Sequence, residues 1–67
     1  MYVFIQDRVS RLETYKYETS ARTVDELLVE LDRDQCYPIV NDRLVSYDHL
    51  LSEGDTVSLL LDSFWGG

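Results

Sequence analysis

Gly66 and Gly67 carry the clearest chemical possibility in this sequence, because they follow the strand-like run Thr56-Val57-Ser58-Leu59-Leu60-Leu61. A terminal glycine carboxylate on a narrow stalk can be threaded into another protein's active site and activated there. Glycine suits that role because it lacks Cβ, fits slots closed to other residues and reaches backbone angles they avoid. Residues 63–67, fully extended, reach roughly 16–18 Å. Phe64 and Trp65 stand just before the glycines, where little of the domain remains for them to pack on. Aromatic residues are enriched at interface hot spots, so both are read as partner contacts. Leu60, on the strand face opposite Val57 and Leu59, is a further candidate for the same surface.

The other residue types that could do chemistry are sparse. Cys36 is the only cysteine, and only Arg33 among basic residues is near it in sequence, so it reads as a structural thiol. His49 is the only histidine and has no Cys or His at ligand spacing, which argues against a metal role. Asp32, Asp34 and Asp42 lack the glycine and terminal glutamate of a calcium loop and read as solvated charges. Neither a nucleophile elbow nor a phosphate-binding glycine loop is present.

The chain has 67 residues, which fits one domain with a small core. Its hydrophobic content of 45%, with five Tyr, two Phe and one Trp, fits a folded domain. Thirteen acidic residues against six basic ones give a formal charge of −7. That balance disfavours nucleic acid and steers the chain towards a basic protein partner. A single cysteine and the lack of a signal peptide or membrane span lead to the expectation of a cytoplasmic protein with no membrane partner.

Certain elements must position the tail. Residues 2–6 are β-prone and apolar on both faces, as in a strand inside a sheet. Residues 7–12 form a polar turn. Residues 13–19 alternate, with Tyr15, Tyr17 and Thr19 on one face. Thr23 and Glu26 form a capping box that starts a helix, with Asp25 and Glu26 in its first turn. Val24, Leu27, Leu28 and Leu31 make its apolar stripe, worth about 6–12 kcal/mol if buried, before entropy. The helix is expected to fade near residues 31–33. Residues 37–40 and 44–45 read as short strands about a turn at 41–43, residues 46–51 as a segment with a helical turn, and 53–55 as a tight turn around Gly54. Residues 56–61 form the last strand. The expected class is α+β: a mixed sheet of four to five strands covered by one main helix, the last strand beside the first. The domain is taken as residues 1–62 and the tail as 63–67.

The order and spacing of these segments resemble a known family. Thr23-Val24-Asp25-Glu26-Leu27-Leu28, Val40-Asn41-Asp42-Arg43-Leu44-Val45, Leu51-Ser52-Glu53-Gly54-Asp55-Thr56-Val57 and Gly66-Gly67 look like the successive motifs of the bacterial ubiquitin-like sulfur carriers. These include the thiamine-pathway sulfur carrier and the small subunit of molybdopterin synthase. The resemblance implies a β-grasp (ubiquitin-like) fold and a co-substrate rather than an enzyme. It implies that a ubiquitin-activating-type adenylyltransferase, using ATP and magnesium, adenylates Gly67. Sulfur from a persulfide donor then displaces AMP, and the resulting thiocarboxylate serves a sulfur-accepting synthase. No cofactor is bound by the carrier itself. Ser63-Phe64-Trp65 fits neither the molybdopterin nor the thiamine tail, so the pathway stays open. A modifier joined to lysines through Gly67, and a non-covalent β-grasp adaptor, are the alternatives.

Overall fold

The computed structural model of the protein describes residues 1–10 and 12–61. The chain runs β1 (Tyr2–Asp7), β2 (Glu13–Glu18), α1 (Val24–Glu30), β3 (Ile39–Val40), β4 (Arg43–Leu44) and β5 (Thr56–Leu59). The five strands form one mixed sheet in the order β2-β1-β5-β3-β4. β1 pairs antiparallel with β2 and parallel with β5, so the first and last strands are neighbours at the centre. The domain is thus a small α+β unit with one helix and a five-stranded mixed sheet.

Alternation along the strands sets the core. Val3 and Ile5 of β1 and Val57 and Leu59 of β5 point to one face and are buried there. Val24, Leu27 and Leu28 of α1 complete this core with Val40, Cys36, Leu51 and Ala21. Tyr15, Tyr17 and Leu31 pack at its margin. Tyr2, Phe4 and Gln6 lie on the opposite face and are only half-buried. That face carries no helix among the described residues.

Both ends of α1 are closed by local chemistry. The Thr23 side chain accepts a hydrogen bond from the Glu26 amide at 3.2 Å. The reciprocal half of the box is displaced by one residue: Glu26 Oε1 accepts from the Arg22 amide at 2.7 Å. The next free donors, the amides of Val24 and Asp25, reach the carbonyls of His49 and Tyr47. At the other end Asp32 takes a positive φ of 58°. The amides of Asp32 and Arg33 then bond Val29 and Leu28 carbonyls, the Schellman pattern.

Several boundaries differ from those the sequence suggests. Asp7 belongs to β1 rather than to the turn. Its carboxylate accepts from the amides of Val9 and Ser10, at 2.8 and 3.1 Å, and so organises the turn from the strand end. Arg43 belongs to β4, because Asn41 and Asp42, at φ 52° and 66°, close a two-residue hairpin by themselves. Both central residues at positive φ suit the right-handed twist of the flanking strands. Residues 46–51 form no helix. One hydrogen-bonded turn links the His49 amide to the Ser46 carbonyl, and Leu50 then bridges Thr23 in extended form. The carbonyls of Tyr47 and His49 in this segment are the ones that cap α1. β5 stops at Leu59, and Leu61 continues only as an isolated bridge to Cys36. Gly54, at φ 86°, makes the turn before β5. No helix among the described residues is long and apolar enough to cross a membrane.

Candidate functional site

Gly66, Gly67, Phe64 and Trp65 lie outside the described residues. The structure does describe the root from which that segment departs. The Arg8 amide donates to the Leu59 carbonyl at 3.3 Å from the β1 side. From the other side the Tyr37 amide donates to the Leu60 carbonyl at 3.0 Å, and Cys36 bridges Leu61. The end of β5 is therefore gripped on both flanks, and Leu60 and Leu61 beyond it are held from the side of Cys36 and Tyr37.

The open face of the sheet carries a cross-strand row: Thr14, Gln6, Ser58, Ile39 and Leu44, each opposite the next in register. The row is polar at the β2 end and apolar at the β4 end. Ser58 Oγ donates to Gln6 Oε1 at 2.8 Å, which satisfies the hydroxyl of a residue that is only 4% exposed. Leu44, at the apolar end, is 72% exposed. Leu60 joins this half: it lines a recess of about 250 Å³ with Arg8, Ile39, Asp42 and Ser58. An apolar floor edged by one cation and one anion can seat a side chain and orient it. Leu60 is half-buried and shares the lining of this recess with Ile39.

Sequence reasoning singled out Leu60 and overlooked Ile39 and Leu44. The alternation in residues 56–61 marks the face of Leu60. A two-residue strand such as β3 or β4 has no periodicity to read, so its facing comes only from pairing.

The remaining reactive side chains are scattered. Cys36 is fully buried. Burial pushes its thiol pKa up, against a smaller opposing pull from Arg33. Its carbonyl accepts from the Tyr47 hydroxyl at 3.1 Å, so the residue is held at both main chain and side chain. His49 is exposed and contributes its carbonyl, not its ring, to the capping of α1. Asp32 and Asp42 occupy turn positions of positive φ at separate places in the chain, and Asp34 is exposed. Among the described residues no group of three His, Cys, Asp or Glu side chains could hold a metal ion.

No protein-family model, curated protein or solved structure matches this chain.

Proposed function

We propose that this protein is a β-grasp sulfur carrier whose Gly67 carboxylate is adenylated and converted to a thiocarboxylate. The observation that carries the reading is the Gly66-Gly67 pair, five and six residues beyond Leu61 in a sequence whose last strand, β5, lies between β1 and β3. The central placement of β5 supports it, because a tail rooted there can be pulled into a partner without loosening its base. The β1-β2 hairpin, single helix and parallel β1-β5 pair are compatible with the β-grasp arrangement.

The chemistry asks little of the domain itself. A carboxylate is a poor electrophile, and adenylation by an activating enzyme with ATP and magnesium supplies a leaving group. Gly67 then offers incoming sulfur an acyl carbon with no side chain in the way. Phe64 and Trp65 would fill pockets on the partner. Leu60, Ile39 and Leu44 would rest against its surface, with Arg8 and Asp42 fixing the orientation. A cytoplasmic location follows from the role and from the lone thiol of Cys36. The sulfur goes to a synthase of cofactor assembly, of either the thiazole-forming or the molybdopterin-forming kind.

The reading requires Gly67 to carry a free carboxylate. Incubation with a cognate activating enzyme, ATP, magnesium, a persulfide donor and a thiol reductant, which cleaves the acyl disulfide formed when the persulfide displaces AMP, should exchange one oxygen for sulfur at the C-terminus, seen by intact mass. An unmodified mass with an enzyme that consumes ATP on this substrate refutes sulfur transfer. Lysine-linked adducts that survive boiling and reductant would assign the chain to the protein modifiers instead.

A further inference from the structure

β2 is an edge strand, six residues long, with its outer side free of any other strand among the described residues. Met1 and Thr19 exchange both hydrogen bonds: the Thr19 amide to the Met1 carbonyl at 2.9 Å, and the Met1 ammonium to the Thr19 carbonyl at 3.3 Å. In an antiparallel ladder such bonded pairs alternate with unbonded ones. Tyr17, Tyr15 and Glu13 therefore turn their amides and carbonyls towards β1. Thr14, Lys16 and Glu18 turn theirs outward. Their side chains all lie on the open face, opposite Gln6, Phe4 and Tyr2 respectively.

A free edge pairs with another strand unless something forbids it, and a lone Lys is a common guard. Here Glu18 stands two residues from Lys16. In an antiparallel copy of the same strand, that spacing lets each charge face its opposite. Only three registers bring more than one outward residue of one β2 opposite outward residues of a second. Centring on Lys16 sets two ammonium groups against each other. Centring on Tyr15 pairs only Thr14 with Lys16. Centring on Tyr17 sets Lys16 against Glu18 twice, with four backbone hydrogen bonds around the two-fold axis. Tyr17 then meets Tyr17 as an unbonded pair, where side chains approach most closely.

We infer that the protein self-associates through β2, in the antiparallel register centred on Tyr17, to form a dimer with one continuous sheet. Charge complementarity selects both the occupant, a second copy, and the register. Lys16 Nζ lies 4.3 Å from the centroid of the Tyr2 ring, on the same open face as the Glu18 it would meet. Glu18 is 77% exposed at its side chain and contacts only the Met1 ammonium at 3.9 Å among the ion pairs of the described residues. The dimer leaves β4 and the recess near Leu60 uncovered, so it does not compete with the carrier role.

The test uses the full chain at increasing concentration, with sedimentation velocity and amide hydrogen exchange by NMR. The Lys16 and Glu18 amides should gain protection as dimer forms. Thr14, which faces Ser20 beyond the end of β2, should not. Lys16→Glu and Glu18→Lys should each weaken association about tenfold, because each sets like charges opposite twice. The double variant carrying both changes should recover it. Chemical shifts of Val3, Ile5 and Val57 check that each variant is folded. A monomer at millimolar concentration, protection that includes Thr14, or failure of the double exchange to restore pairing would each overturn the inference.

Discussion

Asn41 and Thr56 are joined twice: the Asn41 amide donates to the Thr56 carbonyl at 2.8 Å, and the Thr56 amide donates to Asn41 Oδ1 at 3.0 Å. The side chain replaces the main-chain acceptor that the positive φ of Asn41 turns away. Its amide nitrogen also donates to Asp55 Oδ1 at 3.1 Å. One residue thus ends the β3-β5 ladder, opens the β3-β4 hairpin and ties both to the turn before β5. Asn41→Gly keeps the backbone geometry and loses both side-chain bonds. It should cost about 0.5–1.5 kcal/mol of stability in urea unfolding. Asn41→Asp should cost more, since it sets a carboxylate against Asp55.

Thr23→Ala should lower stability by about 1 kcal/mol, measured the same way, because the Glu26 amide loses its acceptor. Thr23→Ser should be close to neutral. A matching loss at Ser would show that the methyl group, not the cap, matters.

Gly54→Ala tests a conformational cost in isolation. An added Cβ would meet nothing nearer than the Tyr2 hydroxyl at 3.9 Å, so there is room for it. The penalty is the left-handed backbone at φ 86°, about 1 kcal/mol. Gly54→Asn, which tolerates that region better, should recover part of it.

Tyr17 gives a pH signature. Its hydroxyl donates to the Glu30 carboxylate, and this bond, with burial and the nearby charge of Glu30, pushes its pKa from 10.0 up to about 12. A raised phenol pKa means that the folded state holds the proton more tightly than the unfolded state. The contribution is complete below pH 10 and is lost as pH rises through about 12. Tyr17→Phe should flatten stability across that window and leave lower pH unaffected in slope. An unchanged alkaline slope in Tyr17→Phe would assign the effect to another group.

Partner contact and stability should separate on the open face. Leu44→Ser and Leu60→Ser should raise the KM for adenylation by the activating enzyme several-fold, with kcat nearly kept, as expected when binding common to ground and transition states is removed. Leu44 is already solvated, so its thermal midpoint should barely move. Removal of Gly67 should abolish transfer at an unchanged midpoint. A KM for both leucine variants equal to that of the unaltered protein would place the docking surface elsewhere.

The helix start was legible because Thr23 and Glu26 state it locally. The face of β5 was legible because Val57 and Leu59 repeat at the pleat, whereas β1 reads as apolar on both faces and only the structure shows that Val3 and Ile5 take the core side. What the sequence hid depends on distant partners. Residues 46–51 contain one turn, from Ser46 to His49, but it does not grow into a helix, because the Tyr47 and His49 carbonyls accept from Asp25 and Val24 and Leu50 bridges Thr23. β3 and β4 are too short for periodicity, so the side of the sheet on which Ile39 and Leu44 stand emerges only from their pairing. Phe64, Trp65, Gly66 and Gly67 owe their reading to residue type and order.

The parallel pairing of β1 with β5 also has a mechanical side. A load applied between the start of β1 and the end of β5 pulls the two strands in opposite directions along their length. The bonds that join them are then strained together in shear, rather than broken one after another as in a peeled hairpin. A domain built this way can be dragged by its tail and stay whole, whereas the β3-β4 hairpin, held by only two residue pairs, would open first under a force across the sheet.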